Sequence, residues 1–224
     1  MNKLRVYGCS FSCAFQDLKE LPPIKTKEGW PQIVASNIGY RYIDRSRPGY
    51  GLNHILLNLQ EDLSNNLIDK DDVIILSPSY FQRLTFPEID EKLINQEWVE
   101  FHAKYGASHN EIVNYNVMRF YFFIRMLREL GYNIFGWCWS IGTPHQHLPR
   151  ALNYLNEISN YLIYAPNKRM FWEDWILENP KCMLIPGERI SNDSFTGDSH
   201  FSKYGHKIAA EHFTKILNIN KNKI

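Results

Sequence analysis

The chain has 224 residues, 44% of them hydrophobic, and its 25 lysines and arginines against 24 aspartates and glutamates leave a formal charge of +1. That length suits one domain with a sizeable core, and the even charge supplies no broad basic field of the kind a nucleic-acid binder uses. Cys9, Cys13, Cys138 and Cys182 lack metal-ligand spacing and are too scattered for a disulfide framework, so reduced and mostly buried thiols are expected.

Met1-Asn2-Lys3-Leu4-Arg5 leads into an apolar run too short for a signal-peptide core, which predicts a cytoplasmic protein. Lys3 to Gly8 reads as a first strand, Trp30 to Asn37 as a short helix and Tyr42 to Ser46 as a second strand. From Leu52 to Leu67 the apolar residues Ile55, Leu56, Leu59 and Leu63 fall at helical spacing, and Asp71-Asp72 then introduces a buried strand, Val73-Ile74-Ile75-Leu76. A long helix is predicted from about His109 to Leu130, closed by Gly131. Within it Phe120 to Phe123 leave little polar face, which points to burial between layers or to a subunit contact. Its most apolar part, Val117 to Leu127, is broken by Arg119 and Arg125 and falls short of the roughly 18 uncharged residues of a membrane span.

Tyr132 to Trp137 reads as the next strand, 148–162 as helical, and Cys182 to Ile185 as a last short strand. Ser202 is placed to cap a final helix through Ile208, Ala209, Phe213 and Ile216, with 1–217 as a single domain and the Asn/Lys-rich 218–224 as a frayed tail. Strands alternating with helices predict an α/β chain: a mostly parallel central sheet covered on both faces, a three-layer α/β/α sandwich.

In such a sheet the ligand sits beyond the carboxyl ends of the strands. Gly8-Cys9-Ser10-Phe11-Ser12 sets Ser10 just past the first strand. A serine hydroxyl is a weak nucleophile that needs a base, an acid residue to orient the base, and donors for the oxyanion. Near the other terminus His200 falls in the loop before the last helix, with Asp198 two residues upstream, where a turn can bring its carboxylate back to the imidazole. An imidazole titrates near neutrality and can take the serine proton and return it. Taken by itself this loop fits a plainer reading better, with Asp198 and Ser202 as turn and capping residues and His200 at the surface.

These segments resemble the blocks of the SGNH hydrolases, also called GDSL-type lipases and esterases. Gly8-Cys9-Ser10-Phe11-Ser12 is similar to the family's Gly-Asp-Ser-Leu-Ser block with Cys9 in place of the aspartate. Asp198-Ser199-His200, followed by Gly205-His206, is similar to its Asp-x-x-His block, shortened by one residue. Tyr42 to Gly49 looks like the block whose glycine lends a backbone N–H to the oxyanion hole, and Trp30-Pro31-Gln32 with Pro48 to Asn53 resembles small bacterial and phage members. The family's third block, Gly-x-Asn-Asp, has no match in Leu76-Ser77-Pro78-Ser79-Tyr80-Phe81-Gln82-Arg83, and an unreplaced oxyanion donor costs about 3–4 kcal/mol of transition-state stabilisation. Ser79, Tyr80, Gln82, Arg83 and Asn53 are the candidate replacements, or contacts to the substrate.

The resemblance implies a flavodoxin-like fold and a serine esterase acting on a small ester, an O-acetylated carbohydrate being one candidate. Ser10 would be the nucleophile, His200 the base and Asp198 its orienter, with the backbone N–H groups of Ser10 and Gly49 as the oxyanion hole. No metal or organic cofactor is implied. The alternative is a module that keeps the fold and binds a carbohydrate or protein partner without turnover. His145-Gln146-His147 lacks a third metal ligand and reads as loop, and Trp137, Trp139, Trp172 and Trp175 read as core in preference to sugar-stacking surfaces.

Overall fold

The computed structural model describes residues 1–12, 29–78, 80–81, 109–141, 148–187, 189–191, 194–195 and 198–221, with the backbone alone at 109, 189–191, 194–195, 198 and 220–221. Its central sheet has four parallel strands in the order β2-β1-β3-β4: β1 Lys3–Gly8, β2 Arg41–Asp44, β3 Val73–Ser77 and β4 Asn133–Gly136. Val6 lies between Asp44 and Ile75, and Ile75 in turn pairs with Phe135. The helices are α1 Trp30–Ile38, α2 Leu52–Ser64, α3 His109–Glu129, α4 Pro149–Glu157, α5 Trp172–Leu177 and α6 Lys203–Lys221.

The period-2 alternation of a strand sorts the core into two halves. Leu4, Val6, Val73, Ile75 and Phe135 face α1 and α6, where they meet Trp30, Val34, Ala209 and Phe213. Tyr7, Ile74, Leu76 and Ile134 face the other way and meet Ile55 and Leu59 of α2, Val117, Phe120 and Ile124 of α3, and Leu155 of α4. Every residue of β3 is buried, as expected of an apolar run covered on both sides. The result is the three-layer α/β/α sandwich. Trp137, Trp139, Trp172 and Trp175 are core residues, and Trp137 packs edge-on to Trp30, Trp139 and Trp172.

The helix ends follow the sequence signals. Gly131, at φ +82°, ends α3 in the left-handed region, and the N–H groups of Gly131 and Tyr132 return to Arg128 O and Leu127 O. Ser202 caps α6, its Oγ accepting from Gly205 N at 3.0 Å. The last helix continues through Lys221, held by buried Phe213 and Leu217.

Two expectations are corrected. The strand near 182–185, β5 Met183–Ile185, does not extend the central sheet; it pairs antiparallel with β8 Asp198–Phe201. The edge of β4 is instead met by bridges from Leu162 to Gly136 and from Phe171 to Cys138, so that position is taken before the chain reaches β5. A further short pair joins β6 Arg189–Ser191 to β7 Ser194–Phe195. The segment holding His200 is therefore a strand where the sequence suggests a loop.

A buried charged cluster fastens β1 to α2 and to the β2–α2 connection. The carboxylate of Asp62 accepts from Tyr7 Oη at 2.6 Å and from Arg45 Nε at 3.0 Å, and Arg45 Nη2 bonds its other oxygen. Arg5 stands 3.5 Å from Asp62 and donates through Nε to Asp72 at 2.8 Å. Burial pushes the Asp62 carboxyl up, but hydrogen bonds from Arg45 and Tyr7 and the charges of both arginines outweigh it and hold the group below the usual carboxylate range. The Tyr7 hydroxyl moves up, through burial first and then its bond to Asp62.

Candidate active site

The first strand ends at Gly8 and turns at once into a single 3-10 turn, Ser10–Ser12, closed by Ser12 N to Cys9 O at 3.0 Å. Gly8 is required because Ser12 folds back over it: a Cβ at position 8 would lie 2.3 Å from Ser12 Oγ. Ser12 Oγ is hydrogen-bonded to Ser77 Oγ at the end of β3, at 2.5 Å. This turn is thus pinned across two strand ends. Cys9, Phe11 and Ser12 are buried while Ser10 is half-buried, so Ser10 is the turn residue with access to solvent.

The connection after β2 is stitched to the same end of β1. Arg45 N donates to Val6 O at 2.9 Å, Ser46 Oγ to Val6 O at 3.1 Å, and Arg47 N to Gly8 O at 3.1 Å. Gly49 follows in the left-handed region at φ +82° and is exposed, two residues before α2 is entered through Gly51. A side chain at position 49 would be strained there.

His200 arrives from the other terminus on β8. Phe201 pairs with Met183 and Asp198 with Ile185, so three steps along β8 match two along β5 and a bulge falls at Ser199-His200. Bulges re-aim side chains, commonly beside functional sites. The His200 ring lies flat on Phe11, centroids 4.3 Å apart and planes 11° from parallel, and Phe11 stacks in turn on Trp139 at 3.9 Å and 15°. Phe11 is a shelf between an indole and an imidazole. The base candidate therefore rests on the residue bonded to the nucleophile candidate, and its Nε2 is shielded from solvent.

The segment behind His200 is fixed by close packing. A Cβ at Gly205 would lie 2.2 Å from Cys182 O, the carbonyl that accepts Ser202 N at 2.7 Å. His206 is buried, and its Nδ1 accepts the Trp30 N–H that opens α1 at 3.2 Å. Burial pushes its imidazole down to about 4, and the nearby His200 charge adds to the drop, so His206 is neutral and an acceptor at physiological pH.

For the other candidates the structure is specific in part. Asp198 lies in β8 by its backbone, and its side chain is outside the described residues, as are Ser79, Gln82, Arg83 and His145–His147 entirely. Tyr80 packs edge-on to Phe11 at 6.2 Å, and its hydroxyl donates to Glu173 Oε1 at 3.2 Å. Ser140 Oγ donates to the other Glu173 oxygen at 2.8 Å. The carbonyl oxygen of Asn53 accepts from Arg119. Phe11, Trp139, Ser140 and Glu173 were not singled out by the sequence as members of this neighbourhood; no spacing marks a carboxylate 93 residues from its tyrosine. Among the described residues no group of three His, Cys, Asp or Glu is placed to hold a metal, and no helix is long and apolar enough to cross a membrane.

No family model and no curated protein matches the sequence, but solved structures match the fold. A protein described as lipolytic, of the G-D-S-L family, from Desulfitobacterium hafniense DCB-2 superposes with a TM-score of 0.50 at 9% identity, over 96% of this chain and 99% of its own. A psychrotrophic esterase from Pseudoalteromonas sp., solved with monoethylphosphonate as inhibitor, gives 0.54 at 13% identity over 99% and 100%. A carbohydrate esterase whose active site is described as having divergent catalytic and non-catalytic binding functions gives 0.54 at 11% over 97% of this chain and 64% of its own. With Ser10 past β1 and His200 against the next residue, that likeness settles the architecture: the chain is built on the fold of the GDSL-type, or SGNH, hydrolases.

Proposed function

We propose that the chain is a serine ester hydrolase acting on a small ester, with an O-acetyl group on a carbohydrate as the candidate substrate. The observation that carries this reading is the stacking of His200 on Phe11, which draws an imidazole from near the carboxyl terminus against the turn of Ser10. Ser10 Oγ attacks the ester carbonyl as its proton passes to His200, and the tetrahedral oxyanion is met by the backbone N–H groups of Ser10 and Gly49. Collapse expels the alcohol, which takes the proton from His200. Water then attacks the acyl-serine with His200 again as base, releasing the acid and restoring Ser10. Asp198 is the residue assigned to orient the imidazole.

The third oxyanion donor must come from outside the Gly-x-Asn-Asp pattern. The Tyr80 hydroxyl gives its proton to Glu173. Asn53, Ser79, Gln82 and Arg83 are the residues assigned as the source of that donor, and of these Asn53 is fixed through its carbonyl oxygen, which accepts from Arg119.

A second reading, a carbohydrate- or protein-binding module without turnover, is favoured by Cys9 and Ser77-Pro78 standing where the family has its aspartate and its Gly-x-Asn-Asp block. Hydrolysis of p-nitrophenyl acetate separates the two. The hydrolase reading expects a rate that Ser10→Ala lowers by about a thousandfold or more. A wild-type rate no higher than that of Ser10→Ala supports the binding module.

A further inference from the structure

We propose that the outer face of α3 is the contact of a two-fold symmetric homodimer, in which α3 packs antiparallel on α3 of a second copy. The inference does not rest on the ester chemistry. Tyr115, Phe122, Met126 and Leu130 are 54%, 54%, 44% and 57% exposed. Their spacings, with Arg119 and Glu129, set them on one stripe of the helix, opposite the buried Val113, Val117, Phe120, Ile124 and Leu127. Beside the stripe, α2 and α3 enclose an apolar groove of about 820 Å³ lined by Leu63, Phe122, Phe123 and Met126, with Gln60 and Ser64 at its polar edge. Large exposed apolar side chains beside an apolar groove point to an interaction site.

The charges on the stripe identify the occupant. Antiparallel pairing about the point midway between Phe122 and Met126 sets Phe122 against Met126 of the second copy and Met118 against its Leu130. The same register sets Arg119 against Glu129 of the second copy, twice by symmetry. Glu129 is two-thirds exposed, and Arg125 takes only its Oε1, so the other oxygen is available to an incoming guanidinium. A face whose apolar residues meet apolar residues and whose cation meets its anion when paired with itself is self-complementary, as an isologous contact requires. A lipid surface fits it less well, because Glu111 and Glu129 put two carboxylates on the face that would have to enter an anionic bilayer surface.

The test is sedimentation velocity on the full chain over a range of concentrations, with binding to anionic vesicles run in parallel. The proposal expects a species of twice the 26.5 kDa chain mass that dissociates on dilution. Phe122→Asp and Met126→Asp, each at an exposed position and checked for folding by circular dichroism, should give monomer at every concentration. Glu129→Arg should weaken the dimer about tenfold or more. A wild-type monomer throughout, a dimer unaffected by Phe122→Asp and Met126→Asp, or a monomer that binds vesicles through this face would overturn it.

Discussion

His206 gives a pH-dependent contribution to stability whose sign and size follow from its burial. In the unfolded chain its imidazole titrates near 6.5, and in the folded protein at about 4. Above pH 6.5 both states are neutral and the folded state keeps its full stability. As pH falls from 6.5 toward 4 the unfolded chain takes a proton that the folded chain refuses, so stability drops; below about 4 both are protonated and the loss levels off. At about 1.4 kcal/mol per pH unit the loss is about 3 kcal/mol. Carboxylates such as Asp62 also titrate in this range, so the informative quantity is the wild type minus His206→Gln, in which the amide can still accept from Trp30 N but does not titrate. Urea unfolding at a series of pH values should show this gap shrinking by about 3 kcal/mol between neutrality and pH 4. A constant gap, or an NMR titration of His206 centred near 6.5, would mean that burial does not hold the imidazole neutral.

Two further outcomes follow from packing. Phe11→Leu keeps apolar bulk but removes both stacked faces, so stability should fall by about 1–3 kcal/mol in thermal unfolding, and the esterase reading expects kcat to fall with KM little changed because His200 loses its shelf. Asp62→Ala leaves Arg45, Arg5 and Tyr7 around an empty position and should cost about 3–5 kcal/mol, read as a lower urea midpoint; an unchanged midpoint would mean the cluster is solvated.

Much of the fold was legible in the sequence because it rests on local signals. The run Val73-Ile74-Ile75-Leu76 is buried on both faces and can only be an inner strand, and Gly131 ends α3 because a left-handed residue is needed there. The parts that were not legible depend on partners far along the chain. Asp198-Ser199-His200-Phe201 carries no strand period, and it becomes one by pairing with Met183–Ile185, with a bulge that no pattern announces. Asp62 looks like an ordinary polar residue of an amphipathic helix, yet it is buried because Tyr7 and Arg5 of β1 and Arg45 of the β2–α2 connection converge on it. The candidate nucleophile and base were readable only through their likeness to family blocks. What joins them in space, the ring of Phe11, looks in the sequence like one more core aromatic.

Covalent labelling by a fluorophosphonate probe, followed by intact mass and peptide mapping, tests the nucleophile itself. A single adduct is expected on Ser10, absent in Ser10→Ala and formed far more slowly in His200→Ala. No adduct on the wild-type protein, or one that persists in Ser10→Ala, would contradict Ser10 as the nucleophile.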